Sequence, residues 1–278
     1  MSKQLSGLKR NTIDKFYTKK SVVELCVTNL QKNINIEKDD LVIEPSAGNG
    51  AFIDIIKTLS NNSLFLDIDP NHDNVKQGDF LKMDYSHLKS TYKNIHVLGN
   101  PPFGRQSCMA VNFIKYACKF AKTVAFILPK SFKKPSLQHK VPIHFHLISS
   151  IDLPQNSFLI NNCEHDVPCV FQIWQRHKTK IRKIPKKLVP IFYKFVKKDE
   201  APDISFRRVG AQAGKVETVI TSQSPQSHYF IKFDSYSSEI VQAIKNINFQ
   251  HDNTVGPRSI SKQELIKQIN YIYSKNVA

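Results

Sequence analysis

Short apolar runs alternate with helix-like segments from residue 41 to residue 174, and this alternation constrains the fold more than any other feature of the chain. A run at 41–43 is followed by a small-residue turn and by apolar residues at helical spacing over 51–59. Similar runs lie at 64–66, around 75, and at 95–98, 124–128, 144–151 and 167–174, with a further helical pattern over 107–121. Strands that alternate with helices form a doubly wound sheet. The sequence therefore predicts an α/β fold with a Rossmann-like sheet.

The chain is strongly basic, with 40 Lys and Arg against 23 Asp and Glu and a formal charge of +17 over 278 residues. Its hydrophobic content of 41% suffices for a buried core, which excludes a disordered chain. Apolar runs stay below the roughly 18 residues of a membrane span, and the first residues lack a secretory signal. We therefore expect an intracellular protein, cytoplasmic or nuclear, without membrane contact.

The five cysteines are too widely spaced for C-x-x-C pairs, so we expect neither a disulfide framework nor a metal site.

Positive charge is concentrated in residues 176–198, which contain ten Lys or Arg and no Asp or Glu. Phe192, Tyr193 and Phe195 lie inside this basic segment. Lys and Arg neutralise phosphates, and aromatic rings stack on bases, so the segment predicts nucleic-acid binding. A solvated charge run and a nuclear-localisation signal are the alternatives. We place a domain boundary near residue 178 and expect a small basic substrate-recognition region over 179–278. Its candidate contacts to nucleic acid are Lys183, Lys186, Lys187, Arg207 and Arg208.

The first predicted strand ends in a tight turn, Glu44-Pro-Ser-Ala-Gly48-Asn-Gly50, that leads directly into a helix. Two glycines permit close backbone approach, and the helix start offers free N–H groups to a ligand at the carboxyl edge of the sheet. A dinucleotide-binding fingerprint needs a third glycine at position 53, where this chain has Ile53. The turn therefore disfavours a dinucleotide as the ligand.

Acidic residues also end the next two predicted strands. Asp67 follows the second strand, where its carboxylate can hold a ribose diol through two hydrogen bonds, and Asp79 follows the third, where it suits the amino group of an adenine ring. Acids at strand ends also cap helices or face solvent, which is the alternative for each one separately. Acids in three successive loops, including Glu44, favour an adenosyl ligand without phosphates.

The fourth predicted strand ends in Asn100-Pro101-Pro102-Phe103. A residue before proline avoids the α region, so the chain leaves the strand extended and turns at the carboxyl edge of the sheet. Proline has no N–H, so neither proline donates to nearby carbonyls. The Asn100 side-chain oxygen and the Pro101 carbonyl are then two free acceptors for a planar exocyclic amine, and Phe103 offers a face for stacking. An ordinary Asn-Pro turn is the alternative.

These motifs, in this order and together with Asp14-Lys-Phe-Tyr-Thr18, resemble the S-adenosylmethionine-dependent methyltransferases that modify adenine N6. The order is similar to the gamma arrangement of the DNA adenine methyltransferases, and the resemblance covers residues 14 to 175. It implies a seven-stranded methyltransferase sheet, an S-adenosylmethionine-binding catalytic domain over 1–178 and target recognition by 179–278.

The resemblance also implies roles for individual residues. Phe16, Tyr17 and Thr18 would cover the methionine end of the cofactor, and a further aromatic residue, best matched by Phe158 after Leu153-Pro154, would stack on the target base. Phe158 as a core or loop-filling residue is an equal alternative. The remaining cofactor contacts would be Glu44, Ser46, Gly48, Gly50, Asp67, Asp79 and Asn100, and the base would be gripped by Asn100, Pro101, Pro102 and Phe103.

The motifs indicate the reaction type more sharply than the substrate. DNA is favoured by the gamma-like order, whereas RNA, including the mRNA cap, is the first alternative because N-P-P-F also occurs in RNA adenine methyltransferases. A protein glutamine side chain presents the same planar amide to an N-P-P motif, and a catalytically silent nucleic-acid-binding subunit is a further alternative. The concentrated basic segment argues against the glutamine substrate, and the intact motifs argue against a silent subunit.

Overall fold

The computed structural model describes residues 16–249 and 258–276, which form two compact units divided between Ile184 and Pro185. The division lies inside the predicted basic segment. Among the described residues, no helix is both long and apolar enough to cross a membrane.

The first unit alternates strands and helices along most of its length. Two 3-10 turns, Arg105–Ser107 and Lys130–Lys133, supplement its regular elements. The elements are β1 (Tyr17–Thr18), α1 (Lys20–Asn33), β2 (Leu41–Glu44), α2 (Ile53–Leu59), β3 (Asn62–Asp67), β4 (Lys76–Gln77), α3 (Leu88–Thr91), β5 (Ile95–Gly99), α4 (Cys108–Ala117), β6 (Thr123–Pro129), α5 (Pro135–Gln138), β7 (Phe145–Asp152), β8 (Phe158–Ile160), β9 (Cys163–His165) and β10 (Cys169–Arg176).

Seven strands form the central sheet in the order β4-β3-β2-β5-β6-β10-β7. The first five are mutually parallel, and β10 is antiparallel to both of its neighbours. Every residue of β2, β5 and β6 is buried, which explains why these strands are continuous apolar runs. The predicted α/β class with a Rossmann-like seven-stranded sheet is confirmed. Because β2, β3 and β5 are parallel, the loops that follow them meet at one edge of the sheet.

The entry into α1 differs from what its sequence pattern predicts. The spacing Ser21-x-x-Glu24 is typical of a capping box and predicts a helix start at Ser21, but the helix begins at Lys20, and Ser21 lies inside it. The reason is that β1 fixes the chain just before the helix. β1 pairs with β8 in a small antiparallel sheet with β9, and the N–H of Lys19 donates to the carbonyl of Ser157 at 3.1 Å.

The second unit contains a four-stranded antiparallel sheet in the order β11-β14-β12-β13 and two helices. Helical apolar spacing over 239–247 and 261–273 predicts both helices. The sheet is not predicted, because its strands lie in polar and basic surroundings. Phe206, Ile231 and Leu265 are fully buried in the core that sheet and helices share. The elements are β11 (Tyr193–Val196), β12 (Ile204–Arg207), β13 (Val216–Glu217), β14 (His228–Phe233), α6 (Ser238–Lys245) and α7 (Lys262–Asn276).

The last helix begins with the capping box that its sequence predicts. The N–H of Glu264 donates to the Ser261 hydroxyl at 3.2 Å, and the N–H of Ser261 donates to the Glu264 carboxylate at 2.8 Å. These two bonds satisfy donors that a helix start otherwise leaves without partners.

Replacing Ser261 by Ala removes one of these bonds and is expected to destabilise α7 by about 1 kcal/mol. Hydrogen-exchange mass spectrometry should show amide exchange about fivefold faster in the first turn of α7. The matched control is Ser274→Ala in the last turns of the same helix, where the hydroxyl donates to the Tyr271 carbonyl. Equal exchange in the two variants would contradict the capping role.

Candidate active site

A pocket of about 220 Å³ lies where the ends of β2, β3 and β5 meet the segment that contains β1. It gathers nine of the ten residues that the motifs assign to the cofactor, although these come from five separate parts of the sequence. The nine are Phe16, Tyr17, Thr18, Glu44, Ser46, Gly48, Asp67, Asp79 and Asn100. Asp14 of the first motif lies outside the described residues.

Asp67 ties the loop after β2 to the end of β3. One carboxylate oxygen accepts from the N–H of Gly48 at 2.8 Å, and the other accepts from the N–H of Asp69 at 2.9 Å. The adjacent N–H of Ala47 donates to the Leu66 carbonyl at 2.8 Å. An ionised carboxylate has about four acceptor positions, so Asp67 is held in place while it still has acceptor capacity toward the pocket.

Asp79 is also engaged locally. Its Oδ1 accepts from the N–H of Leu81 at 3.0 Å, and its Oδ2 lies 3.3 Å from the Lys82 ammonium. These contacts stabilise the turn after β4, as expected for an acid at a strand end. Asp79 nevertheless lines the pocket, beside the ring of Phe80.

Glu44 is a buried carboxyl group at the floor of the pocket. Only 2% of the residue is exposed, and its Oε2 has no hydrogen-bond partner among the described residues. Burial raises the pKa of Glu44 well above its ordinary value, and the nearby negative charge of Asp67 raises it further. A neutral Glu44 carries an O–H donor as well as acceptor positions.

Gly99 makes room for Glu44 at the end of β5. Its φ is +150°, and a Cβ at this position would lie 3.1 Å from the Cγ of Glu44. A larger residue would therefore push the end of β5 away from the acid. The predicted motifs do not include Gly99, although its position directly before Asn100 is the signal that could have identified it.

The Asn100 amide is held by the segment around β1. Its Nδ2 lies 3.2 Å from the Phe16 carbonyl and 3.3 Å from the Thr18 hydroxyl oxygen, both of which it can donate to. Its main-chain carbonyl accepts from the Ser46 hydroxyl at 3.0 Å. The Oδ1 is buried and has no partner among the described residues. The donors of the amide are therefore engaged within the fold, and the acceptor role that the sequence predicts for Oδ1 stays a prediction.

Aromatic contacts support the segment that anchors Asn100. The ring of Phe16 stacks on His165 at 5.5 Å between ring centroids and meets Phe158 edge-on at 6.0 Å. The hydroxyl of Tyr17 accepts from the Asn71 amide at 2.6 Å. Phe158 is fully buried and pairs across strands with Thr18. This burial does not fit the predicted stacking of Phe158 on a target base, and the core alternative is the one that the structure favours.

Three other predicted residues do not line the pocket. Phe103 is 9% exposed, and its carbonyl accepts from the N–H groups of Met109 and Ala110 at the start of α4. Pro101 is buried, whereas Pro102 does line the pocket. Gly50 packs away from it, because a Cβ there would meet the His72 ring at 2.8 Å. The stacking role that the sequence suggests for Phe103 therefore has little exposed ring surface to support it.

One wall of the pocket is apolar and was not assigned from the sequence. It consists of Phe80, Met109 and Phe113, with the rings of Phe80 and Phe113 stacked at 5.4 Å. Met109 and Phe113 belong to a helical pattern that indicates only burial, whereas Phe80 follows Asp79 in the motif Gly78-Asp-Phe80 without a role of its own. Apolar periodicity predicts which helix face is buried but does not separate a residue that packs in the core from one that borders a cavity.

The two arginines of the basic segment that belong to the first unit turn inward. The Arg176 guanidinium donates to the carbonyls of Ala121 and Cys118 and lies over the Phe145 ring. Arg182 donates to the carbonyls of Phe145, Gln138 and Val141 and lies over the Trp174 ring. They therefore contribute to packing, which corrects the expectation that the whole segment faces nucleic acid.

The other predicted contacts to nucleic acid differ in exposure. Lys183, Lys186 and Lys187 are exposed on a stretch without regular secondary structure. Arg207 and Arg208 are half-buried and donate to neighbouring carbonyl or amide oxygens. Of the aromatic residues within the basic segment, Tyr193 is buried in the core of the second unit, Phe192 is exposed and Phe195 is half-buried.

Across the described part of the chain, no group of three or more His, Cys, Asp or Glu residues is arranged to hold a metal ion.

No protein-family model and no curated protein matches this chain. Among solved structures it is similar to the type I restriction-modification system methyltransferase subunit from Streptococcus thermophilus, with 15% identity and a TM-score of 0.46 over 61% of this chain and 46% of that one. It is also similar to a dimethyladenosine transferase from Plasmodium falciparum, with 15% identity and a TM-score of 0.42 over 59% of this chain and 64% of that one. For the 23S rRNA methyltransferase ErmE the identity is 12%, and the TM-score is 0.42 over 61% of this chain and 72% of that one. Likenesses of this strength do not assign a family, so the proposed function rests on the pocket itself.

The Glu44 environment predicts a pH dependence of stability. Because the pKa of Glu44 is raised in the folded state, the unfolded chain ionises first, and stability falls as the pH rises from the ordinary glutamate pKa toward the raised one. Glu44→Gln keeps the shape and removes this linkage. The variant should match the wild type near pH 4 and become more stable relative to it by about 1.4 kcal/mol per pH unit within that window.

Thermal unfolding of the first unit over a pH series measures this effect. Glu24→Gln on the exposed side of α1 is the matched control and should follow the wild type throughout. Parallel pH profiles for Glu44→Gln and the wild type would show that Glu44 is ionised in the folded protein.

Proposed function

We propose that this protein transfers a methyl group from S-adenosylmethionine to the N6 amine of adenine in nucleic acid, with DNA as the favoured substrate. The observation that carries the proposal is the Asn100 amide, whose donors are occupied by the β1 segment and whose buried Oδ1 has no partner among the described residues. A ligand donor can satisfy this acceptor on a residue that lines the pocket, and a buried polar group without a partner is costly.

The chemistry of the pocket fits an adenosyl cofactor that carries an amino acid in place of phosphates. Its polar lining includes the carboxyl groups of Glu44, Asp67 and Asp79, and the acidic side chains of Asp67 and Asp79 would repel a pyrophosphate. Carboxylates accept from the hydroxyls of a ribose and from amino groups, and the wall formed by Phe80, Met109 and Phe113 suits the apolar faces of the cofactor. Glu44 Oε2 is an orphaned polar atom that such a ligand can satisfy.

The cofactor supplies a methyl group that is already activated by its attachment to a sulfonium. The residues of this chain therefore need to orient the acceptor amine and to stabilise the positive charge that develops on it. Asn100 Oδ1 would accept one N–H of the amine. The motif assigns the second N–H to the carbonyl of Pro101, a buried residue beside the pocket lining. These two bonds would draw the nitrogen lone pair out of conjugation with the ring. Orientation and fixed acceptors are established sources of rate acceleration. The methylated amine is acidic and loses its proton to water or to the polar groups around Asn100, so a strong general base is not required.

Access to the N6 amine sets the requirements on the substrate. An adenine inside a duplex must swing out of the stack, and the cost of a few kcal/mol is offset by contacts in the pocket. The preference for DNA over RNA rests on the gamma-like motif order alone. The exposed lysines 183, 186 and 187 are the proposed phosphate contacts.

Asn100→Ala should lower the rate of methyl transfer by about a hundredfold or more, because it removes an acceptor that stabilises the transition state. Cofactor affinity, measured by titration calorimetry, should survive. Asn61→Ala is the matched control, since Asn61 is an exposed amide just before β3, at the opposite end of that strand from the pocket. Turnover near that of the wild type in Asn100→Ala would refute the assigned role.

Nucleic-acid affinity should fall steeply between low and moderate salt, because binding releases counterions. Replacing Lys183, Lys186 and Lys187 together by Gln should flatten the plot of log affinity against log salt by about 0.9 for each duplex phosphate that is no longer neutralised. The control replaces Lys32, Lys57 and Lys93, which are exposed elsewhere in the first unit. An unchanged slope in the first triple variant would show that these lysines face away from the nucleic acid.

A further inference from the structure

A second concave surface lies within the second unit and is not used by the proposed reaction. This cleft of about 680 Å³ is bordered by the end of β11, by β14 and by the first residue of α7. Its distinctive lining residues are two aromatic rings, Phe195 and Tyr229, and three lysines, Lys197, Lys198 and Lys262. We refer to it as the aromatic–lysine cleft.

The two rings lie at the margin of the hydrophobic core. Tyr193 lies two residues before Phe195 in β11, and Ile231 lies two residues after Tyr229 in β14, so all four share one face of the sheet. Tyr193 and Ile231 are buried in the core of the second unit. Phe195 and Tyr229 point toward the same side of the sheet but are only half-buried. They meet edge-on, with 5.7 Å between ring centroids. Each ring therefore packs against the core on one side and leaves part of its surface at the cleft.

Cations lie directly beside both rings. The Lys262 ammonium is 4.0 Å from the centroid of Phe195, and the Arg208 guanidinium is 5.5 Å from the centroid of Tyr229. Lys198 donates to the neutral carbonyl of Thr221 at 2.8 Å, which leaves its charge uncompensated. Lys197 is exposed, and within the described residues none of these four cations forms a salt bridge.

The charge of the cleft is positive on balance. Asp199 is the acidic residue in its lining, against Lys197, Lys198 and Lys262. Cations that lie over aromatic faces and keep no carboxylate partner suit a ligand that carries both phosphates and flat rings. An acidic peptide would satisfy the lysines but would leave the two rings without a matching surface.

From this arrangement we propose that the aromatic–lysine cleft binds a single-stranded segment of nucleic acid. Lys197, Lys198 and Lys262 contact its phosphates, and Phe195 and Tyr229 pack against at least one of its bases. A single strand is required because the bases of a duplex are stacked on each other and expose only their edges. This binding does not involve the methyl-transfer pocket and is measured without cofactor, so its failure and the failure of the proposed reaction are distinguishable.

Fluorescence anisotropy of the full chain with a labelled oligonucleotide of about ten residues tests the inference. Separate DNA and RNA probes show which of the two nucleic acids binds in the cleft. A duplex and an abasic strand of equal length test whether binding needs exposed bases. The single strand should bind at least fivefold more tightly than the abasic strand. Phe195→Leu should weaken binding of the single strand by about fivefold or more and leave binding of the abasic strand unchanged.

Lys262→Gln tests the charge contribution independently of the core. It should reduce the salt slope for the single strand by about 0.7, whereas Lys262→Arg should retain the wild-type slope. The controls are Phe192→Leu and Lys194→Gln, an exposed ring and an exposed lysine of the same basic segment that do not line the cleft.

Three results would overturn the inference. One is equal binding of the single and abasic strands, and another is an equal reduction of affinity in the control variants, which would place binding on the basic surface in general. The third is displacement of the oligonucleotide by poly-glutamate of the same charge with equal potency, since that would indicate a site for acidic polymers of any kind.

Discussion

The Asn100 amide is the interaction on which the pocket depends, because it joins the end of β5 to a segment more than eighty residues earlier in the chain. Its Nδ2 lies within hydrogen-bonding distance of Phe16 and Thr18, and those residues are held in turn by β8 and by the stacked rings of Phe16 and His165. The amide orientation follows from these contacts and leaves Oδ1 as the free acceptor. The Nδ2 atom of the Asn100 amide thus holds the β1 segment, and the Oδ1 atom of the same amide is the proposed catalytic acceptor.

The same crowding explains the electrostatics of the floor of the pocket. β2 and β5 pair as neighbouring strands, and because Gly99 has no side chain, the buried Glu44 side chain lies close against the end of β5. Enclosure raises the pKa of Glu44, and Asp67 adds a like charge that is itself fixed by two backbone N–H groups. The raised pKa favours the protonated form of Glu44, and a protonated acid beside the Asp67 carboxylate offers both a donor and acceptors within a small space. This suits a ligand that carries hydroxyl and amino groups.

Much of the sheet and most of the pocket lining could be predicted from the sequence, because strand ends in a parallel sheet meet at one edge and the motifs lie at those ends. Contacts between segments that are distant in the sequence could not be predicted in this way. Neither Phe158 nor Phe103 has the exposed ring that its motif suggests, since burial depends on neighbours that local sequence does not specify. Arg176 and Arg182 lie in a basic segment but bind backbone carbonyls. The sheet of the second unit escaped prediction because β11 lies within a run of lysines, and its apolar partners come from residues 204–233.

The most direct test of the central claim is the identity of the methylated product. The protein is incubated with S-adenosylmethionine carrying a labelled methyl group and with separate pools of DNA, structured RNA and capped RNA, and each pool is then digested to nucleosides and analysed by mass spectrometry. The account predicts label in N6-methyladenine nucleoside from at least one pool, with the largest amount from DNA. Label on another atom or base, or a folded protein that binds the cofactor and labels none of the pools, would contradict it.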